Sequence, residues 1–174
     1  PFYINVWSLV PHATLHPLPE QMEPYLRFSP QGVPYPGAAT IYYASVTDLD
    51  TQIGRLMEKL DELGLARRTI VLFSSDNGPE DIHIRNASHS GIGSPGPLRG
   101  RKRSLYEGGV RVPFIVRWPG HVPEGRVESN AVLSGVDLLP TLCRLAGVEV
   151  PQSLELDGED RSAALLGNPS PRSK

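Results

Sequence analysis

The chain has 174 residues, 39% of them hydrophobic and 21% charged, with a formal net charge of −2 at pH 7. That length suffices for one domain with a core, and the charge excludes a bulk electrostatic pull toward nucleic acid or a membrane surface. No apolar run reaches the ~20 residues of a membrane span, and the one cysteine, Cys143, excludes an internal disulfide.

The chain opens Pro1-Phe2-Tyr3-Ile4-Asn5-Val6-Trp7, so residues 2–9 read as a core strand. There is no initiator Met, signal peptide or polar leader before it, and the sequence therefore reads as a piece of a longer protein. Residues 10–37 are Pro-rich and read as a long surface loop. It carries His12 and His16, residues that titrate near neutral pH and suit a general acid. Over residues 38–63, Val46, Leu49, Ile53, Leu56, Leu60 and Leu63 recur at three- and four-residue steps, which predicts a helix with one apolar stripe. Gly64 is placed to end it.

A buried strand is predicted at 70–74, and it runs straight into Asp76-Asn77-Gly78. In open α/β sheets the C-terminal end of a strand is where ligands bind. A carboxylate and an amide there are oxygen donors suited to a hard cation such as Ca²⁺ or Mg²⁺; the competing reading is a turn without a metal. Residues 77–109 show little periodicity and read as loop. Within them His83 and His89 are either exposed surface residues or substrate contacts, and Asn86-Ala87-Ser88 has the form of a glycosylation sequon. The cluster Arg99, Arg101, Lys102, Arg103, bracketed by Gly100, Gly108 and Gly109, is either a solvated basic loop or a clamp for an anion, since glycines let backbone approach a ligand closely. It is short and lacks interleaved aromatics, which argues against nucleic acid.

A further strand is predicted over 112–118, ended by Pro119-Gly120. A short helix follows over 137–147, with Asp137 as N-cap, Gly147 as stop and Cys143 as a core residue. From residue 151 the chain is polar and reads as a mobile tail. The alternation of helix and strand assigns the chain to the α/β class.

Four blocks, in order, resemble the type I sulfatases (the arylsulfatase A and N-acetylgalactosamine-6-sulfatase group) of the alkaline phosphatase superfamily. They are Pro1-Phe2-Tyr3-Ile4 through Pro11-His12; Phe73-Ser74-Ser75-Asp76-Asn77-Gly78-Pro79; Leu98-Arg99-Gly100-Arg101-Lys102 through Tyr106-Glu107-Gly108-Gly109-Val110-Arg111-Val112-Pro113; and Asp137-Leu138-Leu139-Pro140-Thr141-Leu142 through Ala146-Gly147. The resemblance implies a partial alkaline-phosphatase-like α/β sandwich, with a mainly parallel sheet flanked by helices and long loops at the strand ends. Residues 1–150 would be the C-terminal portion of the catalytic domain, and 151–174 the start of a C-terminal region.

It further implies that Asp76 and Asn77 are two ligands of one Ca²⁺ (or Mg²⁺), that Lys102 contacts a sulfate oxygen, and that His12 serves the leaving alcohol. Where the family commonly has Pro two residues after that histidine, this chain has Thr14, while His16 is followed by Pro17; both histidines stay in play. Arg101 and His89 join the substrate-binding candidates, and the basic surroundings of Lys102 suit an anionic substrate, a sulfated small molecule or polysaccharide. The family's formylglycine nucleophile arises within a Cys/Ser-x-Pro/Ala-x-Arg motif. No such motif in the right context lies in these 174 residues, so the nucleophile is expected outside them and the chain alone is expected to be inactive. Localisation by family analogy is exported (periplasmic or secreted) or lysosomal. The alternatives are a related metal-dependent phosphoesterase or phosphonate hydrolase, or a truncated, inactive binding module.

Overall fold

The computed structural model describes residues 2–81, 89–168 and 171–173. His83 and the Asn86 sequon lie outside them. The chain divides into two compact units, residues 1–63 with 73–115, and residues 64–72 with 116–174.

The dominant element of the first unit is α2 (Gly37–Glu62), preceded by α1 (Pro19–Met22) and a 3₁₀ segment, Glu23–Phe28. The helix falls where the apolar steps placed it, and Gly64 (φ +64°) follows its end as the left-handed stop. Its burial is displaced from the expected stripe, however. Thr40, Ile41, Ala44 and Ser45 are buried; of the expected stripe Leu60 is buried, Val46, Leu49 and Ile53 are half-buried, and Leu56 and Leu63 are exposed. The reason is that α1, Glu23–Phe28 and the 3₁₀ turn Ser90–Ile92 pack on α2, and the contacts gather on its first turns. Thr40 Oγ1 donates to Tyr25 O (3.0 Å) and lies 3.0 Å from Ser29 Oγ, while the Tyr25 ring meets Tyr43 at a tilt and Phe28 meets it edge-on. Residues 10–37, expected as loop throughout, thus carry two helical stretches.

The sheet among the described residues has two strands, β1 (Val71–Ser74) and β2 (Phe114–Arg117), paired with each other. Both expected strands form, the second starting just after Pro113, whose missing N–H cannot join a ladder; the first, expected to be buried, has no buried residue, and its Phe73 and Ser74 are exposed. Residues 2–9, expected as a core strand, form no strand. No neighbour among the described residues offers them a ladder, and Tyr3, Ile4, Val6, Trp7 and Leu9 are each more than two-thirds exposed.

In the second unit, α4 (Leu138–Ala146) ends at Gly147 (φ +67°) as expected, with Cys143 half-buried in it. Its start differs from expectation in its bonding. A 3₁₀ turn, Gly135–Asp137, leads into α4; Asp137 holds the expected N-cap position, but its side chain makes no cap bond to α4 and turns back to the N–H of Ser134. The Asp137 carboxylate, fully buried, accepts from Ser134 N–H (2.8 Å), from Glu159 N–H (3.0 Å) and from the Arg172 guanidinium. The residues beyond 151 are correspondingly not a loose tail. They form α5 (Ser162–Leu165), packed on α4, with Arg161, Ala164 and Leu165 buried.

Candidate functional site

The site candidates of the first unit are assembled mainly by main-chain atoms. β1 ends at Ser74 and the chain continues through Asp76-Asn77-Gly78-Pro79. Gly78 N–H donates to Gly109 O (2.8 Å), and Lys102 N–H donates to Pro79 O (2.9 Å). These two bonds fix the strand end beside the basic loop. They are closed by glycines: a Cβ on Gly78 would lie 1.9 Å from Gly108 O, one on Gly108 would lie 2.1 Å from Gly100 O, and one on Gly109 would lie 2.2 Å from Ser104 O. No side chain fits at any of the three without moving backbone. The short helix α3 (Glu107–Val110) carries two of these glycines, and Gly108 N–H returns to Arg99 O (2.7 Å).

On this frame the Asp76 carboxylate is exposed and accepts no hydrogen bond or ion pair among the described residues. Asn77 Nδ2 donates to Gly78 O (2.8 Å), which fixes the amide and leaves Oδ1 as its open acceptor. Two hard oxygen donors without competing partners fit a hard cation. They supply part of its shell only: among the described residues no group of three or more His, Cys, Asp or Glu gathers. The Lys102 ammonium is half-buried, likewise without a hydrogen-bond or ion-pair partner among the described residues. It lines an open cavity of about 580 Å³ together with Asp81, Leu98 and Arg103.

The neighbouring charges are occupied. Arg101 donates to the carbonyls of Glu80, Gly91 (3.2 Å) and Gly93 (2.7 Å), so its guanidinium braces Glu80 and the Ser90–Ile92 turn instead of standing open as expected of a substrate contact. Arg103 sits at φ +74°, a conformation that costs a non-glycine residue about 1 kcal/mol, and its guanidinium pairs with Glu80. That hydrogen bond holds the Glu80 carboxyl below its ordinary value against the opposing effect of burial. Arg99 lies over the Tyr106 ring at 3.8 Å. Glu80 and its partner Arg103 were not singled out as a pair from sequence, because a 23-residue separation in a loop has no periodic signal.

His12 is exposed. Its Nδ1 is 2.7 Å from Ala13 O, and a carbonyl can only accept, so Nδ1 carries a proton and Nε2 is the atom open for transfer. No hydrogen bond joins His12 to Asp76, Asn77 or Lys102 among the described residues. His16 is exposed as well. His89 is half-buried, and its Nε2 lies 2.7 Å from Tyr35 Oη. Burial, and secondarily the charge of His16, hold the His89 imidazole below its ordinary value of 6.5.

With this geometry established, the comparisons are specific. The family model described as Sulfatase matches residues 1–148. Arylsulfatase A of Bos taurus is 40% identical over 149 residues, covering 85% of this chain and 28% of that protein. The crystal structure of Ps i-CgsB in complex with k-i-k-neocarrahexaose superposes with a TM-score of 0.77 at 31% identity, over 92% of this chain and 32% of that one. The PsFucS1 sulfatase from Pseudoalteromonas sp. does so with a TM-score of 0.69 at 32% identity, over 92% and 29%. These likenesses bear out the partial α/β, alkaline-phosphatase-like architecture. The chain spans about a third or less of the length of each.

Proposed function

The chain belongs to the sulfatase family, and on that premise we propose that it is the part of a sulfuric-ester hydrolase that grips the sulfate and serves the leaving group. The observation that carries this reading is the pair of main-chain bonds, Gly78 to Gly109 and Lys102 to Pro79. They set the Asp76-Asn77 strand end and the one open lysine of the basic loop on a shared frame.

Lys102 neutralises charge on a sulfate oxygen; an ammonium without a hydrogen-bond or ion-pair partner among the described residues is suited to that, since it gives up no ion pair to do so. His12, protonated, donates from Nε2 to the oxygen of the departing alcohol while Nδ1–H stays on Ala13 O. Asp76 and Asn77 Oδ1 would hold Ca²⁺, or Mg²⁺, with further ligands from outside these residues. When bound, such a cation polarises the sulfate and offsets its charge. Arg101 acts as a brace that keeps the lysine loop in register. The nucleophile, a formylglycine, belongs to sequence outside this chain, so the chain alone is expected to be inactive. The substrate is a sulfated small molecule or polysaccharide, and the compartment exported or lysosomal.

The test uses the full-length protein. Asp76→Ala is expected to weaken Ca²⁺ binding, measured calorimetrically, and sulfate release together. Lys102→Ala is expected to lower kcat/KM about 100-fold or more with Ca²⁺ affinity unchanged. Unaltered Ca²⁺ affinity in Asp76→Ala would refute the ligand assignment. Turnover of an aryl sulfate by residues 1–174 alone, above its own Lys102→Ala control, would refute the division of labour.

A further inference from the structure

The first unit holds one polar aromatic pair that the reading above leaves unused. Tyr35 Oη lies 2.7 Å from His89 Nε2, and the two rings stack with centroids 6.4 Å apart and an interplanar angle of 27°. Tyr35 comes from the loop ahead of α2 and is about half exposed. His89 leads into the turn Ser90–Ile92.

That turn is held from behind. Arg101 grips the carbonyls of Gly91 and Gly93, and a Cβ on Gly93 would lie 2.9 Å from Tyr42 Oη. His89 is therefore tied through the turn and Arg101 to the loop of Lys102. Through Tyr35 it is tied to the loop ahead of α2.

The 2.7 Å contact is satisfied with either group donating; with Tyr35 O–H donating to the neutral ring, Nε2 is the acceptor. The remaining proton then resides on Nδ1, which becomes an oriented donor on a half-buried ring. Such a donor suits a ligand rich in hydroxyl and ether oxygens.

We propose that Tyr35 is a positioning residue for His89, and that His89 Nδ1–H donates to an oxygen of the saccharide bearing the scissile sulfate. The pair is then a specificity determinant that favours sulfated sugars over aryl sulfates, which lack that oxygen. A site built to hydrogen-bond a hydroxyl discriminates against a substrate without one, because its partly buried donor then loses that bond. This inference rests on the sulfatase reading and adds the substrate class.

The experiment compares the full-length enzyme on the best substrate among a panel of sulfated mono- and disaccharides with its activity on 4-nitrophenyl sulfate. Tyr35→Phe and His89→Ala are each expected to raise KM for the saccharide about tenfold with kcat within about twofold, and to leave the aryl constants within about twofold. The double variant is expected to be no worse than His89→Ala, since Tyr35 acts through His89. His89→Asn, which restores an N–H near the Nδ1 position, is expected to recover part of the loss. In ¹⁵N NMR, Nε2 of His89 is expected in the acceptor range in wild type and to lose that preference in Tyr35→Phe. Equal losses on both substrates, additive penalties, or an unchanged saccharide KM overturn the proposal. Wild-type enzyme that turns over aryl sulfate but no panel saccharide also overturns it, while leaving the sulfatase reading intact. Wild-type enzyme that hydrolyses no sulfate ester brings down both.

Discussion

The lysine loop of the first unit and the α4–α5 region of the second are both irregular segments held firmly, by opposite means. Around Lys102 the holding is done by main chain: glycine against carbonyl at Gly78, Gly108 and Gly109, and N–H to carbonyl across the strand end. Around Asp137 it is done by side-chain charge, with a buried carboxylate taking two N–H groups and an arginine, and Arg161 N–H bonded to Thr141 Oγ1 at 2.8 Å. The difference separates charges by use. Where backbone supplies the rigidity, Asp76 and Lys102 are left without hydrogen-bond or ion-pair partners among the described residues. Where charge supplies it, the Asp137 carboxylate is spent on the fold. Arg101 and the Glu80–Arg103 pair show that the boundary runs through the basic loop itself, two of whose four cations are occupied by protein groups in this way.

The contrast can be broken at its strongest point first. Gly78→Ala forces a Cβ to within 1.9 Å of a carbonyl, and is expected to cost about 4 kcal/mol or more. It should also lower kcat/KM of the full-length enzyme by about 100-fold as the strand end parts from the lysine. Retained activity with a native melting temperature would show that the frame is not what positions the site.

Asp137→Ala removes a buried partner and is expected to cost about 3 kcal/mol by chemical denaturation. Activity per folded molecule should be retained, which is the sharper half of the prediction. Gly147→Ala, at φ +67° with open space around it, is expected to cost about 1 kcal/mol through backbone strain alone.

The smallest effect is in acid. Burial alone would raise the Asp137 carboxyl, but the Arg172 hydrogen bond and the N–H groups of Glu159 and Ser134 outweigh it and hold the group below its ordinary value of 3.8. Glu80 is held below 4.5 chiefly by Arg103. A carboxyl lowered in the folded state stabilises above its unfolded value and loses that contribution as pH falls through the folded one. Stability should therefore decline below about pH 4.5, and Glu80→Gln should remove only about 0.5 kcal/mol at pH 7, because Arg103 is half exposed. A Glu80→Gln penalty that persists undiminished at pH 2 would contradict the ion-pair origin.

What could be read in the sequence followed periodicity and motif. The 3.6-residue recurrence located α2, the β-branched runs located both strands, and the glycine after each helix located its end. The burial of α2 on Thr40, Ile41, Ala44 and Ser45 was not legible, because it depends on where Tyr25 and Phe28 return in space. Asp137 was legible as the N-cap of α4, but not as a buried carboxylate, because beyond Ser134 its partners Glu159 and Arg172 lie 22 and 35 residues away. Residues 2–9 had the composition of a strand, yet a strand exists only where a neighbour completes its hydrogen bonds. At the site, Asp76, Asn77 and Lys102 stood out by residue type, whereas Tyr35 could not, since nothing in residues 33–37 distinguishes a tyrosine that orients a histidine from one on a surface.

The glycine-to-carbonyl packing behind Lys102 also bears on how such a loop can diversify. Its register is written in main-chain contacts at Gly78, Gly108 and Gly109, positions that tolerate no side chain. Arg101 and Arg103 are tied into that frame through the carbonyls of Glu80, Gly91 and Gly93 and through the Glu80 carboxylate, whereas Arg99 only rests on the Tyr106 ring. Selection can therefore exchange the charge and size at 99 while the ammonium of Lys102 stays in place, so that recognition can evolve without re-solving catalysis.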